Sequence, residues 1–284
     1  MSAAVYEATL AERGWVVVDL PDPSPVRHAR ERLLARLRET ALPGLRCLDD
    51  YHWLVDDDER HIEILHGLMV FFWEAELGRA VIASNLELFR HLVGLDLHIQ
   101  RRPYLRAVRP GKPRDAAPLH RDTYYGASAN EVSVLVPLTD MGAEGILRVI
   151  SGSHVSPDSA YPYVKQVSPD MTIRSPKHQL GFPYAPRLLD LDPLLVDRAE
   201  SVPLTVGQAL VFGLSLVHGH DVNTGARTRF STEIRIVNSL ASMLRKRGDH
   251  DDYYAPLCWS AVSLSAQRYL AANEGQESKR GGER

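Results

Sequence analysis

From Leu97 onward the chain is written as short apolar or alternating stretches closed off by proline, glycine and asparagine, and this punctuation most narrows its possible folds. Residues 97–108, 132–138, 146–150, 202–205, 209–217 and 230–237 each carry β-branched or aromatic residues in strand-like order. Many short strands with turn signals between them argue for a sandwich or barrel rather than for alternating strands and helices. No glycine-rich loop leads from a strand into a helix, so the usual nucleotide fingerprints are missing.

Upstream the pattern changes. Residues 14–20 are a β-branched run bounded by Gly14 and Pro21, which predicts one short buried strand. Ser24-Pro25 opens a helix running to about Thr40, with Ser24 as N-cap and Pro25 as its first residue. Residues 57–94 are expected to be mainly helical, because Ile62, Leu65, Leu68, Met69 and Phe72 recur at helical spacing and Gly94 is a natural stop. The expected architecture is mainly β with flanking helices (α+β), in a single domain over residues 1–272. Residues 155–200 are proline-rich and weakly periodic, which suits a lid-like insertion or, equally, a surface excursion. The polar tail 273–284 is expected to be disordered.

A length of 284 residues suffices for one sizeable core, and a net charge of -3 gives no global case for a nucleic-acid partner. The two cysteines, Cys47 and Cys258, are too few for a disulfide framework or a thiolate zinc site and suit a reducing compartment. The first residues lack the basic and apolar pattern of a secretion signal, and no apolar run approaches the roughly 20 residues of a bilayer span. The expectation is a cytoplasmic protein, monomer or homodimer, that acts on a small molecule and engages neither membrane nor nucleic acid.

The chemistry begins at His120-Arg121-Asp122. In extended chain, residues i and i+2 share a face, so one imidazole and one carboxylate can reach one metal ion. Alone the triplet is weak and equally at home in a surface turn. It also spells a kinase catalytic-loop triplet, but no glycine-rich loop, strand lysine or Asp-Phe-Gly accompanies it, so that reading is rejected.

A second cluster spans Leu216 to Ser231. An apolar strand ends in His218, a polar turn follows, and a returning strand carries Arg229 and Ser231, again two apart. If these strands pair as a hairpin, Arg229 faces the side of His218. Two histidines and one carboxylate on a β scaffold, with positions left open, form the facial triad of non-haem Fe(II) oxygenases. The open positions take a 2-oxo acid and oxygen, and an inward arginine offers a fork of donors to the far carboxylate of 2-oxoglutarate. His120, Asp122 and His218 are thus expected to hold Fe(II), and Arg229 and Ser231 to bind 2-oxoglutarate. His220 competes with His218, and the pair His218/His220 would suit a metal-dependent hydrolase. Arg227, still in the turn, and Arg235, further along the same face, are rivals of Arg229.

These residues resemble the phytanoyl-CoA dioxygenase group of Fe(II)/2-oxoglutarate-dependent oxygenases. The resemblance rests on the Gly14–Leu20 strand, His120-Arg121-Asp122, and the segment from Gly145-Ile146-Leu147 to Ser151-Gly152-Ser153-His154. It rests also on His218-Gly219, Asn223, and Arg229 with Ser231, and spans roughly residues 14–240. It implies a double-stranded β-helix (a cupin-like jelly roll) with helices outside, the same three metal ligands, and O2 as co-substrate. It adds Ser133 as a further 2-oxoglutarate contact. The implied reaction couples decarboxylation of 2-oxoglutarate to succinate with removal of a substrate hydrogen, ending in hydroxylation, desaturation or ring closure. A carboxylate at position 122 argues against halogenation.

Tyr124 and Tyr125 follow the metal carboxylate and, with His220, are expected to touch substrate. Acidic stretches at 49–50, 56–59 and 249–252 would favour a cationic, hydroxyl-rich ligand if they flank the site. Within the resemblance, the aminoglycoside- and orthosomycin-tailoring branches, including the hygromycin B orthoester-forming type, are the most similar. They imply a sugar-containing secondary metabolite in antibiotic biosynthesis. The remaining alternatives are the hydrolase and a non-catalytic jelly-roll carbohydrate-binding protein.

Overall fold

The computed structural model describes residues 2–125, 127–142, 147–164, 187–188, 197–239 and 253–280. The N-terminal part comprises α1 (Ala3–Arg13), β1 (Trp15–Asp19), α2 (Ser24–Thr40), α3 (Asp58–Glu74), α4 (Leu77–Ser84) and α5 (Leu86–Val93). Strands β2 (Leu97–Gln100), β3 (Tyr104–Val108), β4 (Ala117–His120), β5 (Glu131–Pro137) and β6 (Arg148–Val149) follow. Then come β7 (Tyr163–Val164), β8 (Arg187–Leu188), β9 (Glu200–Ser201), β10 (Gln208–Gly213) and β11 (His218–His220). The long β12 (Arg229–Asn238), β13 (Tyr254–Cys258) and α6 (Ala261–Arg280) complete the chain.

The strands form two main antiparallel sheets, as the jelly roll requires. One has seven strands in the order β1-β10-β5-β12-β2-β13, with β3 also paired to β12. The other has four, in the order β4-β11-β6-β9. The alternation of β12 shows why the sequence takes this form. Its even residues Phe230, Ile234 and Ile236 are fully buried in the core that the helices supply through Leu33, Leu37, Met69, Phe72 and Phe89. Its odd residues Arg229, Ser231, Glu233 and Arg235 are buried on the opposite face. One strand therefore divides an apolar helix-facing core from a polar interior.

The sandwich interior is itself divided. Trp15, Leu135, Val149, Leu204, Leu210, Phe212 and Leu216 fill part of it with a second apolar cluster. Phe212 reaches the polar part, its ring 4.7 Å from that of His218.

Several expectations shift. Ser24 lies inside α2 rather than capping it; the Asp22 carboxylate accepts from both the Ser24 N–H (3.0 Å) and hydroxyl (2.6 Å). Residues 202–205 form no continuous strand, although Val202 and Leu204 are buried in the interior cluster. The 209–217 stretch breaks at Gly213, so that β10 and β11 join different sheets. The backbone is helical to Arg280 where composition predicts disorder from Asn273, the helix propensity of Glu, Gln, Lys and Arg outweighing Gly275. Most of the 155–200 segment, and the acidic stretch at 249–252, lie outside the described residues. No helix among the described residues is long and apolar enough to cross a membrane.

Candidate active site

His120 is the last residue of β4 and His218 the first of β11, and the two are directly paired across the ladder. Their rings lie 4.5 Å apart, centroid to centroid. Gly219 permits this approach. A Cβ there would sit 2.7 Å from the Ala117 carbonyl oxygen and 2.8 Å from the Leu119 nitrogen, both backbone atoms of β4 and neither able to swing aside.

Each imidazole is held by its own chain. Nδ1 of His120 is 2.7 Å from the Pro118 carbonyl, and Nδ1 of His218 is 2.9 Å from that of Leu216. A carbonyl only accepts, so both Nδ1 atoms carry the proton and both Nε2 atoms present lone pairs. Those lone pairs converge on Asp122, whose Oδ1 lies 3.4 Å from Nε2 of His120 and 4.0 Å from Nε2 of His218. One ligand atom from each residue falls within 4.8 Å of the others, all three residues being buried. This donor set, with tethered second nitrogens, suits a divalent metal with an open face. Burial and then the His120 ring lower the His218 imidazole to about 4, against the pull of Asp122, so it is neutral at pH 7. Asp122 does not sit in the strand as the triplet suggests; it opens a 3-10 turn just after β4.

Around Arg229 the expected hairpin is absent. β11 is flanked by β4 and β6, and β12 by β3 and β5, so the intervening turn crosses from one sheet to the other. Arg229 lies on the inward face of β12 without sharing a ladder with the candidate ligand trio. Asn223 shapes the crossing: its amide donates to the carbonyls of Val108 (2.9 Å) and Arg227 (2.8 Å), and its oxygen accepts from the Gly225 N–H (3.0 Å). Arg229 is buried, and burial followed by the neighbouring Arg106 guanidinium pulls it down to about 9, still a cation at neutral pH. Ser231 is buried two residues further along.

His220 belongs to this second group. The register slips between His218 and His220, which pair with His120 and Ala117, and His220 is not part of the candidate ligand trio. Its Nε2 is buried without a hydrogen-bond partner, and burial, then Arg229 and Arg106, keep it well below the usual imidazole range. Ser133 lies elsewhere: it pairs with Arg235 across β5 and β12, six positions along the strand from Arg229, and its hydroxyl is buried and unpartnered.

The Tyr124 hydroxyl donates to the Tyr161 carbonyl (2.7 Å), and its ring stacks on Tyr163 at 3.9 Å and 14°. The Tyr125 side chain lies outside the described residues. The acidic stretch at 56–59 is engaged locally: Asp56 with Lys112 (2.5 Å), Asp58 with Arg109 (2.6 Å) and Glu59 with Arg114 (3.2 Å). Asp49 meets Arg30 at 3.5 Å. In the Ser-Gly-Ser-His segment His154 meets the Ala11 carbonyl at 3.1 Å, while Ser153 accepts from the Val217 N–H (2.8 Å) just before His218.

Arg235, in sequence a rival of Arg229, reaches the candidate metal ligand Asp122 instead. Arg235 donates from Nη2 to Oδ2 of Asp122 at 2.7 Å. Its place on the inward parity of β12, shared with Arg229 and Ser231, was the signal available.

The sequence matches the phytanoyl-CoA dioxygenase (PhyH) family over residues 55–231. No curated protein matches the chain in sequence. Among solved structures, the apo non-heme monooxygenase ThoJ is similar with a TM-score of 0.56 and 19% identity, over 90% of this chain and 84% of that one. The non-heme alpha-ketoglutarate-dependent carbocyclase SnoK from nogalamycin biosynthesis gives a TM-score of 0.52 and 14% identity, over 90% and 98%. The epimerase SnoN in complex with Fe3+, alpha-ketoglutarate and nogalamycin RO gives 0.50 and 17%, over 91% and 95%.

Proposed function

Since the chain belongs to the phytanoyl-CoA dioxygenase (PhyH) family of Fe(II)/2-oxoglutarate-dependent oxygenases, we propose that it oxidises a small natural product at a centre held by His120, Asp122 and His218. The convergence of the two Nε2 atoms and Oδ1 of Asp122 carries this reading. Bound Fe(II) with 2-oxoglutarate and O2 supplies hydrogen abstraction from substrate, coupled to decarboxylation to succinate.

The chain's own residues do the rest. Pro118 and Leu216, through their carbonyls, fix the tautomer and aim of the two imidazoles. Arg229, a buried cation beside a second cation, gives the distal carboxylate of 2-oxoglutarate a charge-assisted fork, with Ser231 beside it. His220 offers a neutral acceptor next to that arginine. Ser133 stands at the level of Arg235, where a hydroxyl serves the metal end of the cofactor rather than its distal end. A hydrolase centred on His218 and His220 is less well supported, because the His220 ring sits among Arg229 and Arg106, two cations that oppose a metal ion there.

The finer reading is a sugar-containing antibiotic precursor, oxidised by hydroxylation or by ring closure such as orthoester formation. It rests on the resemblance to aminoglycoside- and orthosomycin-tailoring enzymes; the local pairing of residues 56–59 removes part of the charge argument for a cationic ligand. Succinate release across a panel of aminoglycosides and their aglycones tests it, and turnover of aglycones alone would move the substrate class away from sugars. The parent reading is tested by anaerobic Fe(II) and 2-oxoglutarate titration of wild type and His218→Ala. A visible charge-transfer band in wild type that vanishes in the variant is expected. A folded wild type with no band would sink the oxygenase.

A further inference from the structure

The two oxygens of Asp122 are divided between different partners. Oδ1 faces the two Nε2 atoms at 3.4 and 4.0 Å, and Oδ2 is taken by Nη2 of Arg235 at 2.7 Å. Both partners are nearly sealed from solvent, with side-chain exposures of 6% each. Arg235 is itself held in place. It projects from β12, whose N–H at this position donates to the Gln100 side chain (3.1 Å), and its guanidinium lies 5.6 Å over the Tyr104 ring. The Tyr253 hydroxyl meets its Nη1 at 3.4 Å. It is a fixed donor brought from the seven-stranded sheet to a carboxylate carried by the chain that leaves the opposing sheet.

We propose that Arg235 is a positioning residue that keeps Asp122 a one-oxygen metal ligand, and so holds open the position that 2-oxoglutarate needs; this rests on the iron reading above. A carboxylate with both oxygens free can chelate a cation, occupying two positions instead of one. A facial site must spare three, two for the 2-oxo acid and one for oxygen. A short charge-assisted bond to Oδ2 withholds that oxygen and fixes the carboxylate plane. Truncation of Arg235 therefore releases Oδ2 to the metal. It also removes a cation from the metal's neighbourhood, so the metal itself is not bound more weakly. The cost falls on the cofactor.

This separates positioning from simple support, in which metal and cofactor binding would weaken together. The test uses Co(II), an oxygen-stable stand-in with a visible ligand-field spectrum, on wild type, Arg235→Met and Arg235→Lys. Arg235→Met is expected to bind Co(II) at least as tightly as wild type. Its Co(II) spectrum should already differ before 2-oxoglutarate is added, and its 2-oxoglutarate affinity should fall roughly 10–100-fold. Arg235→Lys, which keeps one charged donor, should restore most of both signals. If Arg235→Met does not fold, Arg235→Gln, two bonds shorter in reach, carries the same comparison.

An unchanged Co(II) spectrum with weakened 2-oxoglutarate binding would overturn the proposal, since Arg235 would then act on the cofactor directly. Parallel loss of metal and cofactor binding would overturn it in favour of a structural role. A wild-type protein that takes up no Co(II) would defeat the iron reading itself, and that outcome is visible before any variant is made.

Discussion

Arg109 and Arg229 are both buried arginines, 0% and 6% exposed, yet the groups around them shift them in opposite directions. Arg109 is saturated. Its Nε and Nη2 donate to the two oxygens of Asp115 at 2.9 Å each, Nη2 also reaches Asp58 at 2.6 Å, and Nη1 meets the carbonyls of Asp56 and Asp57 at 3.1 and 3.3 Å. Burial opposes its charge, but Asp115 and Asp58 outweigh burial and raise it above its ordinary value. At Arg229 burial and Arg106 act in the same direction, against the cation. The first arginine pins the N-terminus of α3 to the loop that leads into β4. The second sits beside a like charge, which an incoming carboxylate would offset. A buried charge held by carboxylates reads as architecture, whereas one set beside a like charge is a candidate for a ligand's carboxylate.

The comparison breaks if the two truncations behave alike. Arg109→Met strands two carboxylates and should cost about 3–5 kcal/mol of stability, read by urea unfolding. Arg229→Met should cost clearly less stability than Arg109→Met, because the change also removes a desolvated cation and its repulsion from Arg106. The loss at Arg229 should appear instead in 2-oxoglutarate affinity, by about 2–5 kcal/mol in calorimetric titration of the metal-loaded protein. Arg229→Lys should recover only part of it, since an ammonium offers a point charge rather than a fork. Equal destabilisation by both truncations, with cofactor affinity intact, would place Arg229 in the architecture too.

The division between fold and site also marks what could be read in advance. The candidate trio His120, Asp122 and His218, which the structure brings together, stands out in the sequence because ligand chemistry is written in residue types, and the shared face of Arg229 and Ser231 stands out because strand parity is local. The sheet to which each strand belongs was not legible. β4 and β11 span four and three residues, too short for a periodic pattern, and their partners lie far along the chain. The crossing from one sheet to the other after His220 is decided by Asn223 bonding back to Val108, 115 residues away. For the same reason the role of Arg235 could not be assigned: its parity was visible, but the carboxylate it meets is 113 residues distant.

Gly219 sharpens the comparison from the backbone side, because it serves fold and site at once. Gly219→Ala forces a methyl group against fixed β4 backbone atoms at 2.7 and 2.8 Å. Overpacking of this kind costs about 1–3 kcal/mol. Since the displaced strands carry His120 and His218, Co(II) affinity should fall together with the unfolding midpoint. Loss of stability with unchanged metal affinity would show that the two imidazoles do not depend on the strand spacing.

The smallest expected effect tests a residue that lies between the two classes. Tyr124 follows Asp122 by two positions, where sequence suggests substrate contact, yet its hydroxyl is bonded to the Tyr161 carbonyl and its ring stacks on Tyr163. A hydroxyl already donating to the backbone of a neighbouring segment has its proton engaged, so Tyr124→Phe should act through that bond. Loss of one such bond costs about 0.5–1.5 kcal/mol. The unfolding midpoint should drop by a corresponding amount while KM for substrate stays at the wild-type value. A raised KM with an unmoved midpoint would reverse the assignment and return Tyr124 to the substrate side of the site.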